Sequence, residues 1–173
     1  MNLTAHPDDP EEIAFHVIDS LMPLVLALDP SSILHGEFVR ERRLLDLGSG
    51  AGFPGLVLAA ASPAHFTLVE SRRRRASFLQ VATAEMGLTN VTIEGRRIEA
   101  GDAAGQYDVV LARAFGDPTD FFAIAAKALK PDGLAVLYAN PSQRFAQPNC
   151  QRIEYTVLRR ADRVNRILAV WRK

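Results

Sequence analysis

The chain has 173 residues, 48% of them hydrophobic, which is enough apolar surface for one core and sets the expectation of one domain over residues 1–173. Twenty basic and twenty acidic residues cancel, so any nucleic acid must be met by a local basic face and not by net charge. The lone Cys150 excludes an intrachain disulfide and a cysteine metal cluster and points to a reducing compartment, by default the cytoplasm.

In chain order, Glu11 to Leu28 reads as an amphipathic helix within an N-terminal helical segment of about 9–28, kinked or broken near Pro23. His16, Asp19, Ser20 and Pro23 interrupt its apolar run, and acidic residues precede it, so it is neither a membrane span nor a signal peptide. The run Arg43 to Gly48 then reads as a strand that breaks into Gly48-Ser49-Gly50-Ala51-Gly52-Phe53-Pro54-Gly55. Glycines at this density let a backbone turn sharply and approach a ligand, and Pro54 suits the first turn of a helix to Ala61. His65 to Glu70 forms the next strand and ends in a carboxylate at the spacing from the glycines that reaches ribose hydroxyls in doubly wound sheets. Glu70 is therefore the expected ribose partner.

Arg72-Arg73-Arg74-Arg75 opens a helix from Arg73 to Met86. As a charge run it reads as a solvated helix start, although four cations oppose the helix dipole there and hint at an anionic partner. Strands follow at Val91 to Gly95, Tyr107 to Ala112 and Gly133 to Ala139, with a helix from Thr119 to Leu129. Gln151 to Arg160 and Val164 to Arg172 read as an antiparallel pair turning at Ala161-Asp162-Arg163. The alternation predicts an α/β fold of Rossmann-like type, a mostly parallel sheet with helices on both faces and an antiparallel C-terminal strand. Ligands in such sheets sit past the carboxyl ends of the strands, where Gly48 to Phe53, Glu70, Arg97, Ile98, Glu99, Arg113 and Phe115 form one rim.

Gly50, Gly52 and Gly55 also satisfy the dinucleotide pattern, which alone is weak. Asp46 before the loop, the denser glycines and Leu129-Lys130-Pro131-Asp132-Gly133 together resemble a class I S-adenosylmethionine-dependent methyltransferase. The chain is too short for a dehydrogenase with a second nucleotide half and a substrate domain. More narrowly, Asn2-Leu3-Thr4-Ala5, Glu11-Glu12, His16-Val17-Ile18-Asp19-Ser20-Leu21, Asp46 to Gly55, Arg75 to Gln80, Gly87-Leu88-Thr89-Asn90-Val91 and Arg113-Ala114-Phe115 resemble, in order, the GidB (RsmG) methyltransferases. The likeness runs to about Ala139 and weakens beyond it.

That resemblance implies S-adenosyl-L-methionine as cofactor and N7 of a guanine in small-subunit (16S) ribosomal RNA as substrate. It implies that Gly48 and Phe53 line the methionine and sulfonium part, Ile98 and Glu99 the adenine, and Arg113 the place between cofactor and substrate. With the loop and the ribose carboxylate, the expected cofactor-binding set is Gly48, Ser49, Gly50, Gly52, Phe53, Glu70, Ile98, Glu99 and Arg113, and Arg113 is the one candidate for a catalytic, orienting role. Two features depart from the family. The chain begins at the Asn-Leu-Thr motif, where the family carries a further helix upstream, and it reads Tyr138-Ala139-Asn140-Pro141-Ser142 where the family has a lysine-glycine pair. Arg144 and Arg152 are candidates to replace that lysine.

Guanine N7 carries a lone pair and no proton, so this chemistry needs alignment and no general base. Cys150 lies outside the rim, which disfavours cytosine C5 chemistry, and the segment after the fourth strand lacks the Asn-Pro-Pro-aromatic pattern of amino-directed enzymes. His6, His16, His35 and His65 show no metal-ligand spacing, so no metal is expected. His16 and Asp19 share a helix face and read either as a buried hydrogen-bonded pair or as part of the active-site mouth. The alternatives left open are a class I methyltransferase acting on a small molecule or protein, and a cofactor-binding module without activity.

Overall fold

The computed structural model describes residues 9–38, 40–99, 101 and 103–173. The Asn2-Leu3-Thr4-Ala5 motif lies outside the described residues. The elements are α1 (Pro10–Ala27), β1 (Arg43–Leu47), α2 (Gly55–Ala61), β2 (His65–Val69), α3 (Arg73–Glu85), β3 (Val91–Glu94), β4 (Tyr107–Arg113), α4 (Pro118–Ala128), β5 (Leu129–Ala139), β6 (Gln151–Arg159) and β7 (Asp162–Arg172). They build a seven-stranded sheet in the order β3-β2-β1-β4-β5-β7-β6. The first five strands are parallel, while β7 runs antiparallel to both β5 and β6.

Alternating side chains feed two cores, as the pleat requires. Leu44, Phe66, Leu68, Val109, Leu111 and Val136 face α1, α2 and α3, whereas Leu45, Leu47, Val110, Ala112, Ala135 and Leu137 face α4 with Phe121, Phe122 and Ala125. On this second face the segments before β4 and after β5 contribute Ala103, Phe145 and Cys150. Burial pushes the Cys150 thiol up to about 11, where it is an inert packing group. Asn90, within the family-like Gly87–Val91 stretch, has a structural role: its amide donates to the Ala59, Ser62 and Ala64 carbonyls and ties the end of α2 to the start of β3.

The structure differs from the sequence reading at three places. α1 runs unbroken through Pro23, with Phe15, Pro23 and Ala27 buried in its packed face. That packing outweighs the roughly 3 kcal/mol an interior proline costs. β5 starts at Leu129, not Gly133. Leu129 pairs with Tyr107 before a register shift, Asp132 adopts φ +63°, and Lys130 reaches Asp108 at 2.9 Å, so the Pro-Asp-Gly turn signal becomes an irregularity inside a strand. The C-terminal hairpin turns at Arg160-Ala161, since Arg159 and Asp162 still pair. Arg160 takes φ +54°, held by ion pairs to Asp9 and Glu11 in a place where turn chemistry normally calls for Gly or Asn.

The register also explains where α1 sits. Ala139, at the end of β5, lies level with Ile167 and Glu154, so residues 155–159 and 162–166 run on for roughly 16 Å past the sheet's carboxyl edge. This overhang holds the first half of α1, with Arg159 forked onto Glu12 at 2.6 and 2.8 Å.

Candidate cofactor cleft and rim

β1 ends in the glycine loop because three N–H groups redirect the chain. Gly48 and Ser49 both donate to the Val69 carbonyl, at 2.9 and 3.1 Å, and Gly52 donates to the Ser49 carbonyl at 2.8 Å. Gly48 has φ +74°, and a Cβ there would meet nothing within 4 Å, so glycine is needed for the turn and leaves an open side. Gly55 is a glycine for a different reason. A Cβ there would stand 2.3 Å from Leu68 Cδ2 and 2.4 Å from Asp46 Oδ2, so its place in the dinucleotide pattern reflects helix–strand packing.

Asp46 lies fully buried beneath the loop and accepts from the Gly55 N–H at 3.1 Å, while its Oδ1 has no partner among the described residues. Burial pushes its carboxyl up to about 7. From about pH 4 to about pH 7 the folded chain therefore holds a proton that the unfolded chain has released, so this group's contribution to stability falls as pH rises through that window. Asp46→Asn is expected to flatten that fall, read from urea midpoints across the same range. An unchanged pH slope would show that Asp46 is not its source.

Glu70 follows β2 and is nearly buried. Its Oε2 accepts from the Gly50 N–H at 3.1 Å and its Oε1 from the Arg72 N–H at 2.7 Å. It thus ties the loop to the start of α3 and favours that helix N-terminus. Arg72, Arg73 and Arg74 are exposed, as a solvated helix start requires, while Arg75 turns back toward the loop, 3.9 Å from where a Gly50 Cβ would stand.

Beside the loop opens a cleft of about 680 Å³, within the roughly 300–1,000 Å³ of ligand pockets. Gly48, Val69, Ile98, Glu99, Phe115 and Ile124 are among its walls. Of the expected site residues, Gly48, Ile98 and Glu99 meet here, whereas Ser49 is buried under the loop. The wall also includes Asp117 and Asp120, which the sequence reading did not select. Asp117 caps α4 through the Thr119 N–H at 2.7 Å, and its Asp-Pro-Thr pattern is a recognisable helix start.

Phe53 and Arg113 face a second neighbourhood under α1. The Phe53 ring lies 5.3 Å from that of His16. Arg113 Nη2 lies 2.5 Å from His16 Nδ1 and 3.5 Å from Asp19 Oδ2, so the guanidinium is joined to α1. The next residue, Ala114, adopts φ +53° and separates Arg113 on one side from Phe115, in the cleft wall, on the other. His16 and Asp19 are therefore not simply a mutual pair: both converge on Arg113. Arg152 donates to the Pro141 and Gln143 carbonyls and lies over the Phe145 ring, which makes it a brace for the loop after β5. Among the described residues no cluster of three or more His, Cys, Asp or Glu could hold a metal, and no helix is long and apolar enough to cross a membrane.

The fold has counterparts among solved structures. A SAM-dependent O-methyltransferase of Thermotoga maritima superposes with TM-score 0.60 at 19% identity, over 88% of this chain and 64% of that one. A SAM-dependent methyltransferase of Aquifex aeolicus superposes with TM-score 0.63 at 14% identity, over 94% of each chain. These likenesses establish the class I methyltransferase fold. In sequence, the chain is 40% identical over 133 residues to the ribosomal RNA small subunit methyltransferase G of Nitrosococcus oceani, covering 76% of this chain. It is 40% identical over 141 residues to the protein of that name from Sorangium cellulosum, covering 79% of this chain. It spans 56% of the length of each relative. The family model of rRNA small subunit methyltransferase G matches residues 1–166, and the chain belongs to that family, GidB.

Proposed function

We propose that the chain is an S-adenosyl-L-methionine-dependent methyltransferase acting in the cytoplasm on N7 of a guanine in small-subunit ribosomal RNA. The observation that carries this reading is a glycine loop of the matched family opening onto a cleft at the carboxyl edge of the sheet. The residues present fit the cofactor: Gly48 leaves an open side, Glu70 stands behind the loop, and Asp46 keeps an unpaired oxygen beneath it. Bound there, S-adenosylmethionine would supply a methyl group whose C–S bond breaks as the N7 lone pair forms the new N–C bond, leaving the positive charge on the base. In this reading Glu70 receives the ribose hydroxyls, Ile98 and Glu99 flank the adenine, and Gly48, Ser49, Gly50, Gly52 and Phe53 shape the methionine end. Arg113 orients the substrate. No residue needs to remove a proton, so the chain's contribution is alignment in a site closed to water.

Glu70→Ala is expected to weaken cofactor binding by about 1.5–3 kcal/mol, the range for hydrogen bonds to a charged group. Calorimetry on the folded variant checks it, and unchanged affinity would remove Glu70 from the site. For the RNA, the exposed Arg73 and Arg74 are the proposed phosphate partners. Reversing both to Glu should weaken RNA binding and flatten its salt dependence by roughly 0.7–0.9 of slope for each phosphate no longer neutralised, with cofactor affinity unmoved. An unchanged slope would place the RNA on another face.

A further inference from the structure

α1 reaches Arg113 through His16 and Asp19, and the closer contact is the imidazole. A guanidinium only donates, so the 2.5 Å approach of Arg113 Nη2 requires a lone pair on His16 Nδ1. The imidazole is then neutral with its proton on Nε2, which faces Glu12 Oε1 at 3.4 Å. Glu12 is itself buried and gripped by Arg159 from the overhanging β6–β7 hairpin. The same imidazole packs on Phe53 of the glycine loop. Arg113 is thus held through Nη2, while Nη1 is buried without a partner among the described residues, which leaves it as the donor for an acceptor on a ligand.

We propose that His16 is a positioning residue: in its neutral Nε2–H tautomer it anchors Arg113 by Nη2 and reserves Nη1 for the RNA substrate, and its protonation breaks that anchor, leaving Arg113 to the longer Asp19 contact alone. This rests on the reading of Arg113 as the orienting residue. The charged groups facing the imidazole are Glu12 and Asp19 from α1, Arg113 from β4 and Arg159 from β6. The two carboxylates favour the imidazolium. Burial and the two guanidiniums oppose it and prevail, holding His16 below the usual histidine range.

Ring ¹⁵N spectra of the folded 173-residue chain should show the Nε2–H tautomer and a titration below that of an ordinary histidine, moving up in Arg113→Ala. An Nδ1–H tautomer, or a titration indifferent to Arg113→Ala, overturns the tether. Single-turnover methyl transfer to small-subunit particles should fall on the acid side with the His16 midpoint, with no matching change in cofactor affinity. His16→Asn offers an acceptor at the Nδ1 position and cannot protonate, so that acid limb should disappear. His16→Phe keeps the packing against Phe53 and removes the acceptor, so transfer should drop by about tenfold at every pH, as misplaced reactants do. An acid limb that persists in His16→Asn overturns the proposal. Wild-type protein that binds cofactor but transfers nothing to particles overturns the RNA reading instead, while the ¹⁵N result still decides the tether.

Discussion

Asp19→Ala is expected to destabilise the folded chain by about 3–5 kcal/mol, the cost of removing one partner from a buried ion pair. Asp19 is fully buried, and three elements depend on it. Its carboxylate accepts from Tyr155 of β6 at 2.7 Å and from Arg166 of β7 at 3.2 and 3.3 Å, and it lies 3.5 Å from Arg113 of β4. Alanine would leave two guanidiniums and a phenol facing an apolar gap. Asp19→Asn keeps an acceptor for Tyr155 and should lose less. Urea denaturation measures both, and a loss below about 1 kcal/mol for alanine would mean that the network does not hold α1.

Arg113→Ala is expected to lower methyl transfer at least tenfold while leaving cofactor affinity intact, the signature of lost alignment. The fold should survive, because Asp19 retains Tyr155 and Arg166 and the variant removes a cation without stranding its carboxylate. Transfer kinetics beside cofactor calorimetry separate the outcomes. Unfolding would reduce Arg113 to an ion-pair partner, and undiminished turnover would leave it no role in orientation.

What was legible in the sequence was local. The apolar run ending in glycines, the Glu70 spacing and the alternation of strand and helix located β1, its loop and the parallel sheet, because each is fixed by neighbouring residues. Gly55 matched a nucleotide pattern for a reason that only the approach of Leu68 and Asp46 reveals. At Pro23 and at the Leu129 start of β5, tertiary packing overrides a local breaker, so local sequence alone does not predict either. Arg113 closes β4, one residue beyond the strand end that the sequence predicts, and its partners come from a helix 94 and 97 residues earlier, at Asp19 and His16, which no spacing rule announces. The same holds for Arg152, which looks like a spare cation in sequence and braces a loop in the fold.

Nucleoside mass spectrometry of small-subunit ribosomal RNA, from cells with and without this gene, tests the proposed activity most directly. Loss of one 7-methylguanosine when the gene is removed, restored by the wild-type chain and not by Arg113→Ala, is the predicted result. An identical modification profile in both cells, from a protein that still binds S-adenosylmethionine, would contradict it and point to a small-molecule or protein substrate.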